Sequence, residues 1–281
     1  MTAPASPWCD AAGPTVAVRR WRVAVIVPAR DEAATIGSTL TAISRAVVAA
    51  ERSGRVTGSV VVVVVADRFT DGTAALARSH LSGCGVVVEV DHGSAGSARG
   101  AGAGYVLARL GGPLHTAWIA NTDADTEVAE DWVLRQLDHA DAGIACVTGI
   151  IDLGAVHPSL RAAFAGSYMA EVSGDGHPHV HGANFGIRAD ALALAGNWTS
   201  ASTGEDHDLW ERIGRHGLPR RQDPRLVVTT SARLSGRAPD GFAADLLALS
   251  SRCRTTIVDH QHETGGPGSC TDAGIGAVAQ G

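Results

Sequence analysis

Val60–Thr73 reads VVVVVVADRFTDGT. Six β-branched residues in a row, with no polar alternation, suit a parallel strand buried on both faces. The elements on either side agree with that reading. Upstream, Arg22–Pro28 (RVAVIVP) is a short β-rich segment closed by proline, and Ile36, Leu40, Ile43 and Val47 then recur at helical spacing. Downstream, the pattern gives a helix over Asp71–Leu81, a strand over Val86–Val90, a Gly- and Ala-rich helix over Ala98–Leu110 and a strand over Thr116–Ala120. A helix over Glu130–His139 and a strand over Gly143–Ile151 follow. Regular β-α alternation predicts an α/β fold: a Rossmann-type, mostly parallel sheet with helices on both faces.

The second half is less regular. His177–Ile187 reads as a His- and Gly-rich loop entering a strand, Ala189–Ala195 and Gly204–His216 as helices, Leu226–Thr230 as a strand and Phe242–Arg254 as a helix. The expected organisation is a flexible arm over 1–20, one domain over 21–258 and a disordered tail over 259–281. Within the domain, 21–126 would form one half and 127–258 the other.

Composition removes several classes of function. The 281 residues carry 23 basic and 29 acidic side chains, a net charge of -6, so nothing draws the chain generally to nucleic acid or an anionic membrane. Every basic residue is Arg. Chemistry that needs a Schiff-base, P-loop or kinase lysine is therefore excluded. The five cysteines, Cys9, Cys84, Cys146, Cys253 and Cys270, form no C-x-x-C pair, which speaks against a disulfide framework or a zinc site. The start, MTAPASPWCDAAGP, lacks the pattern of a signal peptide. No apolar run approaches the roughly 18 residues of a membrane helix. The expectation is a cytoplasmic protein with no membrane span.

In a parallel sheet, ligands bind beyond the carboxyl ends of the strands. Carboxylates follow four successive strands here: Asp31 and Glu32, Asp67 and Asp71, Asp91, then Asp123 and Asp125. Asp is a good helix cap, which would explain any one of them but explains four together less well. The Asp123-Ala124-Asp125 pair, just past an apolar strand, can reach one hard cation such as Mg²⁺ or Mn²⁺ while leaving positions for water and phosphate. His177, His179 and His181 alternate, as strand residues sharing a face do. With no clean fourth ligand, they read as a polar acceptor-site loop in preference to a zinc site.

Six segments in this order resemble family 2 glycosyltransferases of the GT-A fold. They are VIVPARDE (Val25–Glu32), ADRFTDGT (Ala66–Thr73), GSARGAGAGY (Gly96–Tyr105), DAD (Asp123–Asp125), HGANFGIRADAL (His181–Leu192) and GEDHDLWERI (Gly204–Ile213). The resemblance implies transfer of a sugar from a nucleoside-diphosphate sugar, with UDP or GDP as carrier, to a hydroxyl acceptor. It implies that Pro28, Ala29, Arg30 and Glu32 hold the nucleobase and ribose and that Asp67 contacts the base. Arg68 stands where a second acid is usual. Arg99 would face the diphosphate or sugar, Asp123 the ribose or sugar, and Asp125, with Asp123, the metal. Asp206, in the Glu205-Asp206 pair, matches the catalytic base of inverting members. The usual third metal ligand, often a His, has no counterpart in Thr229–Gly236, where Arg233 lies instead, followed by Arg237; these are candidates for the diphosphate or solvated surface arginines. Two alternatives accompany this expectation. One is a retaining enzyme resembling glucosyl-3-phosphoglycerate synthase, and the other a protein that binds a nucleotide sugar without turnover.

Overall fold

A computed structural model describes residues 19–81, 83, 85–174, 176–234 and 242–251. The expected N-terminal arm lies almost wholly, and the expected tail wholly, outside the described residues. The elements are β1 (Arg22–Ala29), α1 (Ile36–Arg52), β2 (Val61–Asp67), α2 (Thr73–Leu81), β3 (Gly85–Val90), α3 (Ala95–Leu107), β4 (Ala117–Asn121), β5 (Thr126–Val128) and α4 (Trp132–Asp141). There follow β6 (Cys146–Leu153), α5 (Pro158–Ser167), β7 (Phe185–Arg188), α6 (Ala189–Leu194), α7 (Glu205–Arg215) and β8 (Arg220–Thr230), and a helix α8 over 242–251.

The strands form one eight-stranded sheet in the order β3-β2-β1-β4-β7-β6-β8-β5. Four of its seven pairings are parallel, and β7 runs antiparallel to both β4 and β6. The valine run behaves as its composition requires. Val62 and Val64 enter one core with α1 and α4, while Val63 and Val65 enter the other with α3, α6 and α7. β1 divides the same way, Val23, Val25 and Val27 against Ala24 and Ile26. A strand with apolar side chains on both faces needs helices on both, and the sheet has them.

Several boundaries move for local reasons. α2 begins at Thr73 rather than Asp71, because the Asp71 carboxylate turns back to accept from the Thr73 N–H at 2.9 Å, and it also accepts from the Ala33 N–H ahead of α1 at 3.0 Å. α3 begins three residues earlier than its apolar pattern, where the Ser94 hydroxyl accepts from the Ser97 N–H at 3.2 Å. α5, absent from the sequence reading, starts at Pro158 behind a His157 cap. β8 is also longer than expected. It pairs Gly149 with Asp223 and then Ile150 with Val227, a register shift that lets Pro224 enter a strand without breaking its ladder. No described helix is long and apolar enough to cross a membrane.

Candidate donor-binding and catalytic site

The carboxyl ends of β1, β2 and β4 open onto a cleft of about 270 Å³. Its lining includes Pro28, Ala29, Arg30, Glu32, Asp67, Asp123 and Asp125 from the first half, and Ser202, Arg233 and Phe242 from the second. The strand-end carboxylates are thus brought together, as the sheet argument requires. Asp91 is spent differently: it pairs with Arg68 in an exposed salt bridge at the outer side.

Each carboxylate is held by a different device. Asp67 is buried, and accepts from the backbone N–H groups of His92 (2.7 Å) and Gly93 (2.8 and 3.0 Å), so it ties the end of β2 to the loop after β3. Arg68, beside it, adopts φ 48° and turns its guanidinium under Gly93, where a β-carbon would meet it at 2.5 Å. Glu32 is also buried; Thr35 donates its hydroxyl to one Glu32 oxygen at 2.9 Å, and Arg233 donates to the other at 2.6 Å.

The Asp123-Ala124-Asp125 turn is fixed through its backbone. The Ala124 carbonyl accepts from the Thr39 hydroxyl of α1 at 3.0 Å, and the Asp125 carbonyl accepts from the Ser231 N–H at 3.0 Å. The side chains are held separately, Asp123 by Arg99 and Asp125 by Arg233. Asp125 has only 8% of its side chain exposed and lies 3.2 Å from an Arg233 nitrogen. Burial, and next the negative charge of Asp123, push its carboxyl up to about 6 in spite of Arg233. A carboxylate made reluctant to ionise by loss of water and a like charge is one that a cation would relieve. Two carboxylate oxygen donors on a tight turn suit a hard divalent cation. No cluster of three His, Cys, Asp or Glu side chains with metal-ligand geometry occurs among the described residues. The remaining positions would fall to water and phosphate.

Arg99 joins this turn to the other half. Its guanidinium donates to Glu205 at 2.6 Å and to Asp123, and it lies 5.2 Å from the centre of the Trp198 ring. It is almost fully buried, and Gly182 packs on it so closely that a β-carbon there would stand 2.4 Å from the guanidinium carbon. Arg99 therefore supports Asp123 from behind. Glu205 is likewise committed to Arg99, though burial outweighs that partner and raises its carboxyl above the ordinary value. Asp206, one residue on, sits in the first turn of α7. Its two oxygens accept from the backbone N–H groups of Gly182 (2.9 Å) and His207 (2.8 Å).

The three alternating histidines form a column of rings, His177 to His179 at 5.8 Å and His179 to His181 at 6.0 Å. Tyr168 stacks on His179 at 3.8 Å, and its hydroxyl pairs with Nε2 of His181 at 2.9 Å. Burial, ahead of every charge nearby, lowers His181 to about 4, so the ring is neutral. The column is a packed aromatic wall, continued by Phe242 against His181. Tyr168 carried no signal in the sequence, since only the fold stacks it on the histidines. Trp198 is buried against Phe185 and Arg99.

The model of the family described as glycosyl transferase family 2 matches residues 24–193. Among solved structures, the mannosyltransferase PcManGT from Pyrobaculum calidifontis, in complex with GDP-Man and Mn²⁺, is 19% identical with a TM-score of 0.58, covering 93% of this chain and 69% of that one. TarS of S. aureus is 12% identical with a TM-score of 0.54, covering 85% of this chain and 40% of that one. Glucosyl-3-phosphoglycerate synthase from Mycobacterium tuberculosis, in complex with Mn²⁺, UDP and phosphoglyceric acid, is 19% identical with a TM-score of 0.52, covering 89% and 80%. No curated protein matches the sequence. At such identities these structures establish a shared fold, the GT-A type, and no more.

Proposed function

This chain belongs to glycosyl transferase family 2 and is a nucleotide-sugar-dependent glycosyltransferase, and from that premise we propose a metal-assisted, inverting transfer of a sugar from a UDP- or GDP-sugar to a hydroxyl acceptor. The observation that carries the donor site is the Asp123–Asp125 turn at the end of β4, with one buried carboxyl raised to about 6 inside a cleft that also holds Glu32 and Asp67. The Mn²⁺ and nucleotide complexes of the structural neighbours support the same reading.

Asp125 and Asp123 would hold Mg²⁺ or Mn²⁺, which when bound supplies positive charge to the diphosphate leaving group. Pro28, Ala29, Arg30 and Glu32 form the wall for ribose and base, and Asp67 accepts from the base. Arg99 keeps Asp123 oriented by filling the space behind it. Asp206 acts as general base. The acceptor oxygen attacks the anomeric carbon, its proton passes to an Asp206 oxygen, and the bond to the diphosphate breaks with its electron pair leaving on phosphate. The backbone donors on Asp206 fix its direction.

A second reading is favoured by those same donors. Both Asp206 oxygens already accept from backbone N–H groups, an arrangement that fits a retaining transfer in which Asp206 takes no proton.

The experiment is a thermal-shift panel of UDP, GDP and dTDP with and without Mn²⁺ or Mg²⁺, followed by transfer assays on Asp206→Asn. One nucleotide should stabilise the protein only with the cation. The variant should keep that shift and lose about 10²–10⁴-fold in rate. If no nucleotide stabilises the protein, the donor site fails. If the product retains the donor's anomeric configuration, the base role fails and the second reading replaces it.

A further inference from the structure

Arg233 lies just past β8, at the position where the resemblance leads one to look for a third metal ligand. Its guanidinium bridges the cleft: one nitrogen reaches Glu32 at 2.6 Å, behind β1, and another reaches Asp125 at 3.2 Å, behind β4. Among the described residues, two arginines thus ion-pair with the cleft's carboxylates, and they differ in freedom. Arg99 has 3% of its side chain exposed and is wedged between Gly182 and Trp198. Arg233 has 38% exposed, on a segment that has already left the sheet. Its side chain can change partner where that of Arg99 cannot.

The oxygen of Asp125 that Arg233 holds belongs to the carboxylate that would ligate the cation. A divalent ion arriving alone therefore meets a positive charge already in place and must displace it. A nucleoside diphosphate arriving with the ion changes the balance. It brings negative oxygens into the same cleft, and a guanidinium matches phosphate oxygens as well as it matches carboxylates.

We propose that Arg233 is the resident counter-cation of the donor cleft. It competes with a free divalent cation for Asp125, and it passes to the diphosphate when cation and donor enter together. The consequence is coupling: the cation binds weakly alone and tightly with the nucleotide, so the metal site is assembled by the substrate. This rests on the donor-site reading above and goes beyond it by giving the order and interdependence of binding.

The test is calorimetric titration of Mn²⁺ into the full chain, alone and then with saturating nucleoside diphosphate, for wild type, Arg233→Met and Arg233→Gln. Both variants remove the charge, and Arg233→Gln keeps a hydrogen-bonding group of similar reach. Urea midpoints check that each is folded. Mn²⁺ alone should bind the variants about tenfold tighter, an effect of the size of one charged hydrogen bond. The nucleotide should bind them about tenfold more weakly in the presence of Mn²⁺, so that the coupling shrinks. Unchanged or weaker Mn²⁺ binding by the variants would overturn the proposal, since Arg233 would then be supporting Asp125 and not competing for it. Failure of the donor-site reading looks different. Wild type would then bind no nucleoside diphosphate at all with Mn²⁺, while the titration with Mn²⁺ alone still decides whether Arg233 competes.

Discussion

Asp125→Asn should make the metal-free protein more stable at neutral pH while abolishing the cation-dependent nucleotide binding proposed above. The size follows from the environment of the carboxyl, which burial and Asp123 raise from 3.8 to about 6. A rise of that extent costs the folded state about 3 kcal/mol once the group is ionised in both states. The sign follows from where each state takes up its proton. Below about pH 4 Asp125 is protonated folded and unfolded, and nothing is lost. Between about pH 4 and 6 the unfolded chain ionises freely and the folded one does not, so stability falls as pH rises. Above about pH 6 the loss is complete. Asn has the same shape and no charge. A gain of about 1–3 kcal/mol is expected at about pH 7.5, vanishing near pH 4. The assay is urea denaturation of both proteins with a chelator present, across that range. Comparing the two proteins at each pH cancels the other carboxylates. The reasoning is refuted if the variant is no more stable at about pH 7.5, or if the gap between them does not close as pH falls.

Arg99→Met should be the most damaging of the simple changes, because it leaves Glu205 and Asp123 without their buried partner; a loss of about 3–5 kcal/mol in urea unfolding is expected, and a loss below about 1 kcal/mol would show that the pair does not hold the two halves together. Gly182→Ala places a methyl group 2.4 Å from the Arg99 guanidinium carbon, which has nowhere to retreat. It should cost about 1–3 kcal/mol and reduce transfer sharply through Asp123, whereas full activity would show that Arg99 has room to move.

The sequence by itself determined the layers of this fold and the edge where its strand-end carboxylates gather. Val60–Val65 admits no wet face, so it demands helices on both sides, and the alternation of elements then places Glu32, Asp67, Asp123 and Asp125 on one edge. Those inferences rest on local periodicity and on the geometry of parallel strands, which are properties of short segments. The spacing of Asp123 and Asp125 was legible for the same reason, as both lie on one turn.

Only the tertiary structure decided what the charges do to one another. The carboxylate of Glu32 and the guanidinium of Arg233 are 201 residues apart and meet at 2.6 Å, and Arg99 reaches Glu205 across 106 residues. Nothing in either segment's periodicity records the other. Whether an arginine is wedged, like Arg99, or half-exposed, like Arg233, depends on which glycine and which ring pack against it. The raised carboxyl of Asp125 and the neutral ring of His181 likewise come from burial, which the assembled fold creates. Sequence pattern places a charge on an edge, but long-range packing sets its partner, its solvation and its freedom to move.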